Sequence, residues 1–466
     1  MDKKLSETKA VDSQRDKTVN GNHTRVRRKP AGRKPKTINQ VPPVPDLLTA
    51  VIKHCWPKFN DWLNNIYDPR SAPMCRYTSA HIWWGIILTF LTRGGSRNAF
   101  DADRNTGFMP QNIANICGQE WDEEILGTEK TVTCSENAVH HADRVAAGET
   151  EAILVKMVRS LMNMRMLDSA RLFGSWWMIA VDATLQQRTG RMGQKKSRMV
   201  LEARLIGPCG IELPLMVEFL DVDDPVREKR DCELKGFDRL SKRLHAEFPR
   251  LPICLLLDGL YAVEPVFQRC KDYGWKFIAT MKEGRQPTAF NEAIQIMMMN
   301  PDNITKTQRK NDDGLVEQDI RWAEQVPVSG NSLNVIFSGE ISVHSATLWV
   351  WVTNLSITAT RIATIVNDGG HARFRQEENF NVLKNNGYGL EHAFCTKNNA
   401  SKNYHIMLLV ADTIWQLLAD GVLCRLKVLA RKLTDISLVR HLFAGLVYVP
   451  IAAKPVPIGQ IRFSPG

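Results

Sequence analysis

Two short apolar runs that each end in an aspartate decide the fold: WWMIAVD at residues 176–182 and ICLLLD at residues 253–258. Each run has the length of a buried strand and is too short for a core helix. Between them, residues 199–206 and 211–220 form two more apolar stretches on either side of the turn signal GPCG at 207–210. We therefore predict an antiparallel meander of three strands, followed by a fourth strand that is buried on both faces.

Helices alternate with further strands along the rest of this region. The patterns predict helices near 238–248 and from about Pro265, strands at 275–281 and 348–352, and helices at 371–386 and 403–432. This alternation is typical of a mixed sheet flanked by helices, so the predicted class is α/β.

Changes in composition divide the chain into segments. Residues 47–170 show helical periodicity, whereas 286–345 are polar and rich in turn residues, with short strands predicted at 334–337 and 340–343. The predicted segments are a disordered basic arm with a proline-rich hinge (1–46), a helical domain (47–170), a catalytic core in two parts (171–285 and 346–440), a β-rich insertion between those parts (286–345) and a C-terminal tail (441–466).

Positive charge is concentrated in the arm. The chain of 466 residues carries a net charge of +11, and residues 1–40 hold 12 Lys or Arg against four acidic residues. Such a polar, cationic stretch favours a polyanionic partner, and nucleic acid is the obvious candidate. Arg27, Arg28, Arg33 and Lys34 lie in RRKPAGRKPK, which loosely resembles an AT-hook core that reads the minor groove. The alternative is a solvated tail that contacts phosphates without regard to sequence.

The sequence predicts neither a secretory signal nor a membrane span. The N-terminus, MDKKLS, lacks an apolar core, and apolar runs such as 82–91 are far shorter than the roughly 20 residues that a spanning helix needs. The expected location is the cytoplasm, in association with the nucleoid if the source is bacterial.

Three carboxylates stand out as candidate functional groups. Asp182 and Asp258 each close an apolar strand, where an unpaired charge is costly unless a partner or a metal compensates it. Each aspartate could instead cap a turn or a helix, although Asp258 lies seven residues before Pro265, which is too early to cap that helix. In RFRQEENFNVLK, residues 373–384, helical periodicity places Arg373, Glu377 and Lys384 on one stripe. The alternative for this stripe is a solvated face with a weak Arg–Glu pair.

Together, these groups suit phosphoryl transfer. Carboxylates alone repel a phosphodiester, since two unit charges about 4 Å apart cost on the order of 4 kcal/mol at an effective dielectric constant of 20. Two divalent cations held by Asp182, Asp258 and Glu377 would reverse this repulsion, activate a water and stabilise the leaving 3′ oxygen. Arg373 and Lys384 would then bind flanking phosphates.

The chain resembles insertion-sequence transposases of the DDE class, type 4 family, over roughly residues 171–435. The resemblance rests on VDAT at 181–184, DGLY at 258–261 and the pattern Arg-x3-Glu-x6-Lys that starts at Arg373. It implies a ribonuclease-H-like catalytic core with an insertion, in which Asp182, Asp258 and Glu377 are the catalytic and metal-binding residues. It also implies Mg²⁺, for which Mn²⁺ substitutes, and a homodimer that binds double-stranded DNA.

In this interpretation the enzyme cleaves transposon ends and joins the freed 3′ hydroxyls to target DNA, and the helical domain helps to bind the ends. One position departs from the family signature. The signature has a tyrosine three residues before the arginine, whereas this chain has Gly370 three residues before Arg373. The resemblance suggests that Trp322 stacks on an unpaired base, with core packing as the alternative. Lys282 is a candidate DNA contact, with an exposed surface lysine as the alternative.

Other functional classes remain open at this stage. A non-catalytic DNA-binding regulator derived from a transposase would have the same basic arm, but the intact carboxylates argue against it. A nuclease of the same fold would cut without joining. A glycosidase that uses the two aspartates gives no role to the basic arm.

The arm generates a prediction about salt dependence. If residues 1–40 make about five phosphate contacts, their deletion should flatten the slope of log affinity against log salt concentration by roughly 4 to 5. The slope is measured by titrating DNA into the full chain and the truncated chain over a range of salt concentrations. An unchanged slope would remove the arm from the binding surface.

Overall fold

The described part of the chain comprises most of residues 42–463. The computed structural model describes residues 42–71, 75–119, 132–189, 195–207, 210–220, 229–311, 314–392, 394–423, 434–459, 461 and 463. The predicted disordered arm therefore lies outside the described residues, together with Arg27, Arg28, Arg33 and Lys34.

Helices precede the sheet. In chain order the described ones are α1 (Val44–Cys55), α2 (Phe59–Asn64), α3 (Ser79–Leu91), α4 (Arg97–Asp103), α5 (Met109–Cys117), α6 (Ser135–Asp143) and α7 (Ala147–Asn163). Side-chain caps explain two of the starts, since the hydroxyls of Thr78 and Ser96 accept hydrogen bonds from His81 N and Ala99 N. Helix α1 begins inside the predicted hinge, because a proline is tolerated in the first helical turn.

The described strands form one mixed sheet. Its strands are β1 (Trp177–Thr189), β2 (Lys195–Ile206), β3 (Glu212–Leu220), β4 (Ile253–Leu257), β5 (Lys276–Thr280), β6 (Ile304–Asn311), β7 (Gly314–Val328), β8 (Asn331–Ile341) and β9 (Ala346–Thr353). Their order across the sheet is β3-β2-β1-β4-β5-β9-β8-β7-β6. The pairs β1–β4 and β4–β5 are parallel, and the other pairs are antiparallel. The α/β class and the meander of β1, β2 and β3 are confirmed.

Several boundaries differ from the sequence-based expectations. Strand β1 continues past Asp182 to Thr189, so the prediction that Asp182 ends its strand is wrong. The extension arises because β1 and β2 pair as a long antiparallel hairpin, while the parallel pairing with β4 stops at Val181. Asp182 thus marks the end of the parallel segment.

Within 286–345, the two predicted short strands lie in or beside one strand, β8, whose bounds are Asn331 and Ile341. The strands β6 and β7 were missed because β6 has no apolar residue after Ile304 and both strands are rich in charged and polar side chains. They join the same sheet through β8 and β9.

Helices cover the sheet and carry the rest of the chain. They are α8 (Lys229–Glu247), α9 (Glu264–Asp272), α10 (Pro287–Met299), α11 (Ile362–Thr364), α12 (Phe374–Asn385), α13 (Asn398–Gln416) and α14 (Asp435–Tyr448). A π-helical stretch (Ile365–Gly370) and a 3₁₀ turn (His371–Arg373) connect α11 to α12 in one continuous helical segment. The first part of the predicted tail is helical, since α14 continues to Tyr448.

The helix α13 runs through the interior. It packs against α3, α6, α7 and β3, so the helical segment and the sheet share one hydrophobic core. Together with a π-helical stretch (Leu417–Leu423), α13 is long and apolar enough to cross a membrane, but 89% of its most apolar window is buried inside the fold. The expectation that no stretch has this length was wrong. Such burial is what the core helix of a soluble protein shows.

Gly370 packs closely against the ring of Trp351. A Cβ atom at Gly370 would lie 2.7 Å from Cε2 and 2.9 Å from Cζ2 of the buried Trp351 ring. No larger side chain fits unless the ring moves. The Trp351 indole therefore packs where a side chain at 370 would begin.

We expect Gly370→Ala to lower the free energy of unfolding by about 1–3 kcal/mol, the usual cost of overpacking a core. The matched control is Gly148→Ala in α7, where an added Cβ meets no atom within 4 Å. Because alanine favours helices, the control should keep or slightly raise stability. Urea unfolding measures both variants, and equal stability of the two would contradict the steric explanation.

Candidate active site

Two of the three carboxylates lie side by side at the centre of the sheet. The parallel register of β1 and β4 ends with the pair Val181 and Leu257, so Asp182 and Asp258 are the next residues on adjacent strands. Asp182 Oδ1 accepts a hydrogen bond from Ala183 N (2.8 Å), and Asp258 Oδ1 accepts one from Leu260 N (2.7 Å). These bonds to nearby backbone leave the second oxygen of each carboxylate available for another partner.

The third carboxylate faces them from α12. Arg373 Nη1 lies 2.8 Å from Glu377 Oε1 and 3.6 Å from Asp182 Oδ2, so one guanidinium links the helix to β1. The Arg373 side chain is only 8% exposed, whereas that of Glu377 is 48% exposed. The predicted stripe of Arg373 and Glu377 thus faces the site, and the structure directs the arginine into it.

The carboxylates influence one another electrostatically. The pKa of Asp182 is raised to about 6, chiefly because the group is buried, and also because the charges of Asp258 and Glu377 oppose its ionisation. The Ala183 amide and Arg373 act in the opposite direction but do not cancel the effect. The site therefore carries more negative charge than its single arginine neutralises.

The donor set fits a hard divalent cation, since Mg²⁺ prefers carboxylate oxygens. Within the described ranges, no three His, Cys, Asp or Glu side chains lie close enough to enclose an ion. The Glu377 carboxylate is instead paired with the Arg373 guanidinium.

Buried polar groups fix α12 against the sheet. Gln376, which precedes Glu377, donates a hydrogen bond from Nε2 to the backbone oxygen of Glu202 (3.1 Å). Glu202 is the cross-strand partner of Asp182, and its buried carboxylate pairs with Arg204 (2.8 Å) and His405 (2.9 Å). Sequence reasoning missed this network. The available signal was the pair of charges inside the otherwise apolar stretch 199–206.

A second buried cluster holds the start of the same helical segment. Glu340 Oε1 lies 2.7 Å from His371 Nε2, and its Oε2 lies 2.8 Å from Arg309 Nη2. Burial by itself would raise the pKa of Glu340, but hydrogen bonds from His371, Arg309 and Gln318 lower it to about 2. The cluster ties the strands β6, β7 and β8 to the turn that precedes Arg373.

The remaining predicted residues lie in different surroundings. Lys384 lies on the last turn of α12, and its Nζ is 3.1 Å from Oε1 of Glu391. Lys282 is exposed just after β5, and its side chain passes next to Gly259, the neighbour of Asp258. Trp322 is 4% exposed and packs in the smaller hydrophobic cluster, so base stacking would require the ring to leave the core.

Comparisons with known proteins do not place the chain in a family. No protein-family model matches it, and the search of curated proteins finds no significant match.

The raised pKa of Asp182 predicts a pH-dependent cost to stability. Between pH 3.8 and about 6, the folded protein binds more protons at this group than the unfolded chain does, so stability falls as pH rises through that window. We expect Asp182→Asn to be more stable than the parent at neutral pH, by up to about 3 kcal/mol, and the difference to vanish below about pH 4.

Chemical denaturation at several pH values measures this difference. The matched control is Asp302→Asn on the exposed turn before β6, for which we expect a change within about 0.5 kcal/mol at every pH. A gain that is the same at low and at neutral pH would contradict the electrostatic explanation.

Proposed function

We propose that this protein is a DNA transposase that cleaves transposon ends and joins the 3′ hydroxyls to target DNA. The observation that carries the proposal is the position of Asp182 and Asp258 on adjacent parallel strands, with Glu377 facing them across Arg373. The resemblance to DDE transposases implies three carboxylates on these elements, in this order along the chain.

The topology supports a ribonuclease-H-like core. The order β3-β2-β1-β4-β5, with β2 antiparallel and β4 and β5 parallel to β1, is the arrangement expected for that fold. The strands β6 to β9 then extend the sheet beyond β5, and residues 286–345 account for most of this extension. An insertion at this place lengthens the chain between the second and the third carboxylate without disturbing the pairing of β1 and β4.

Asp182, Asp258 and Glu377 would hold Mg²⁺, or Mn²⁺ in its place. The chemistry supplied by the bound ions is activation of the attacking water or 3′ hydroxyl and stabilisation of the leaving 3′ oxygen. Asp182 and Asp258 contribute hard oxygen ligands at fixed backbone positions. Glu377 supplies a mobile ligand, and its departure would free the Arg373 guanidinium to pair with Asp182 or with a DNA phosphate.

Lys282 and Lys384 are the proposed flanking DNA contacts. Lys282 is exposed beside Gly259, and Lys384 lies two turns along α12 from Glu377. Because two element ends are cut and joined together, we also propose that the protein acts as a homodimer on double-stranded DNA.

One observation favours the alternative of a non-catalytic DNA-binding regulator. The third carboxylate is paired with Arg373, whose guanidinium would have to release it before it could bind a metal ion. A regulator would keep this pair permanently, whereas a transposase must open it to bind metal ions.

The test is DNA cleavage by the purified protein with Mg²⁺ or Mn²⁺, on a duplex that carries the element ends flanking its gene. We expect Asp182→Ala, Asp258→Ala and Glu377→Ala to bind this DNA and to lose at least about 100-fold in cleavage rate, because each removes several kcal/mol of transition-state stabilisation. The matched control is Glu378→Gln, the exposed neighbour of Glu377, which should keep the parental rate.

The outcomes separate the candidates. A parent that binds the ends and does not cut would favour the regulator, and cutting without strand-transfer products would favour a nuclease. Cleavage that survives Glu377→Ala would mean that the third carboxylate is wrongly assigned.

A further inference from the structure

A cationic cavity lies in the helical segment, outside the carboxylate site. Its volume is about 330 Å³, and its walls are α6, the start of α3 and the loop that precedes α3. The charged and titratable residues that line it are Arg70, Arg76, Arg144, His140 and His141. None of the described lining residues is acidic. The cavity therefore carries a concentrated positive charge.

Two of the three arginines are not neutralised. Arg70 is engaged with Asp68, whose carboxylate accepts from its Nε (2.9 Å) and its Nη2 (2.6 Å). Arg76 and Arg144 are exposed, and neither forms an ion pair with any carboxylate of the described chain. Guanidinium groups without an internal partner are well suited to a phosphate, which they bind in a bidentate manner.

A buried donor also points to a ligand. The His141 side chain is 2% exposed and lines the cavity, yet neither of its ring nitrogens forms a hydrogen bond within the described structure. Its Nδ1 lies 3.7 Å from Asp68 Oδ1, beyond hydrogen-bond reach. Burial lowers the pKa of His141 to about 4, so the ring is neutral and keeps one N–H. An unsatisfied buried donor is costly, and an anion in the cavity would satisfy it.

A second cavity of about 280 Å³ borders α6, and Arg97, Glu136 and Lys397 are among its lining residues. Arg97 is paired with Glu136 (3.2 Å), so Lys397 is the cation that this cavity adds. The two cavities meet at His140, whose Nδ1 is 2.8 Å from Lys397 Nζ. Lys397, which precedes α13, therefore adds a cation at the edge of the first cavity. A series of this kind suits a polyanion better than a single small ion.

We propose that the cavity between Arg76, Arg144 and His141 binds a backbone phosphate of the DNA on which the enzyme acts. The inference rests on the proposed function and deepens it, because it assigns the path of the duplex along α6. The contact is independent of base sequence, since guanidinium groups bind phosphates of any nucleotide.

The test measures the affinity for a short labelled duplex of arbitrary sequence by fluorescence anisotropy, without divalent ions, over a range of salt concentrations. We expect the double variant Arg76→Gln and Arg144→Gln to flatten the slope of log affinity against log salt concentration by about 0.9, since it removes the one phosphate contact that the cavity makes. The matched control is Arg250→Gln with Lys271→Gln, two exposed cations that line neither cavity. It should keep the parental slope, and thermal unfolding checks that both double variants are folded.

A parental slope in the Arg76 and Arg144 variant, while the parent binds DNA, overturns the proposal. A parent that binds no DNA refutes the proposed function, and a second arm then tests the cavity with inorganic phosphate alone. Thermal stabilisation by phosphate of the parent but not of the double variant supports an anion site. Equal stabilisation of both overturns it.

Discussion

The mutual repulsion of Asp182, Asp258 and Glu377 is the constraint on which the arrangement of the site depends. The backbone places the two aspartates on adjacent strands, and burial deprives Asp182 of most of its hydration. Unit charges about 4 Å apart repel by on the order of 4 kcal/mol even at an effective dielectric constant of 20. Arg373 relieves part of this repulsion by contacting both Asp182 and Glu377. A cation that binds the same oxygens would compete with the arginine for Glu377.

That arrangement requires α12 to be held firmly, because a rigid support sets the distance between Glu377 and the strands. Two buried polar clusters provide the support. One joins Glu202, Arg204 and Asp412 through ion pairs of 2.8 and 3.4 Å. The other joins Glu340 to His371 and Arg309. Buried charges of this kind add little net stability, but the loss of one partner leaves the other unpaired at a cost of several kcal/mol.

Residues 286–345 also contact the helical segment that carries Glu377. Its strands extend the central sheet, and Glu340 on β8 reaches the turn just before Arg373. Trp351 on β9 packs on Gly370 in the same turn. The segment thus contributes to the position of the third carboxylate, in addition to lengthening the chain between the second and the third.

Local sequence determined the elements whose signal is short-range. The apolar runs at 176–181 and 253–257 predicted β1 and β4, and the helical spacing of Arg373 and Glu377 predicted that they share a face. Asp182 and Asp258, which come directly after these runs, were therefore recognised as candidate carboxylates. The sequence did not indicate that Gly370 packs against the ring of Trp351.

Only the tertiary structure decided which residues meet. Four features join residues or elements that periodicity does not relate. They are the pairing of Asp182 with Glu202, the position of Arg373 between two carboxylates, the burial of Trp322 and the cationic cavity beside α6. Strands β6 and β7 escaped prediction because their solvent-facing positions carry charges, so their signal comes from pairing within the sheet. Periodicity reports which face of an element is apolar, whereas the packing of distant elements decides what that face contacts.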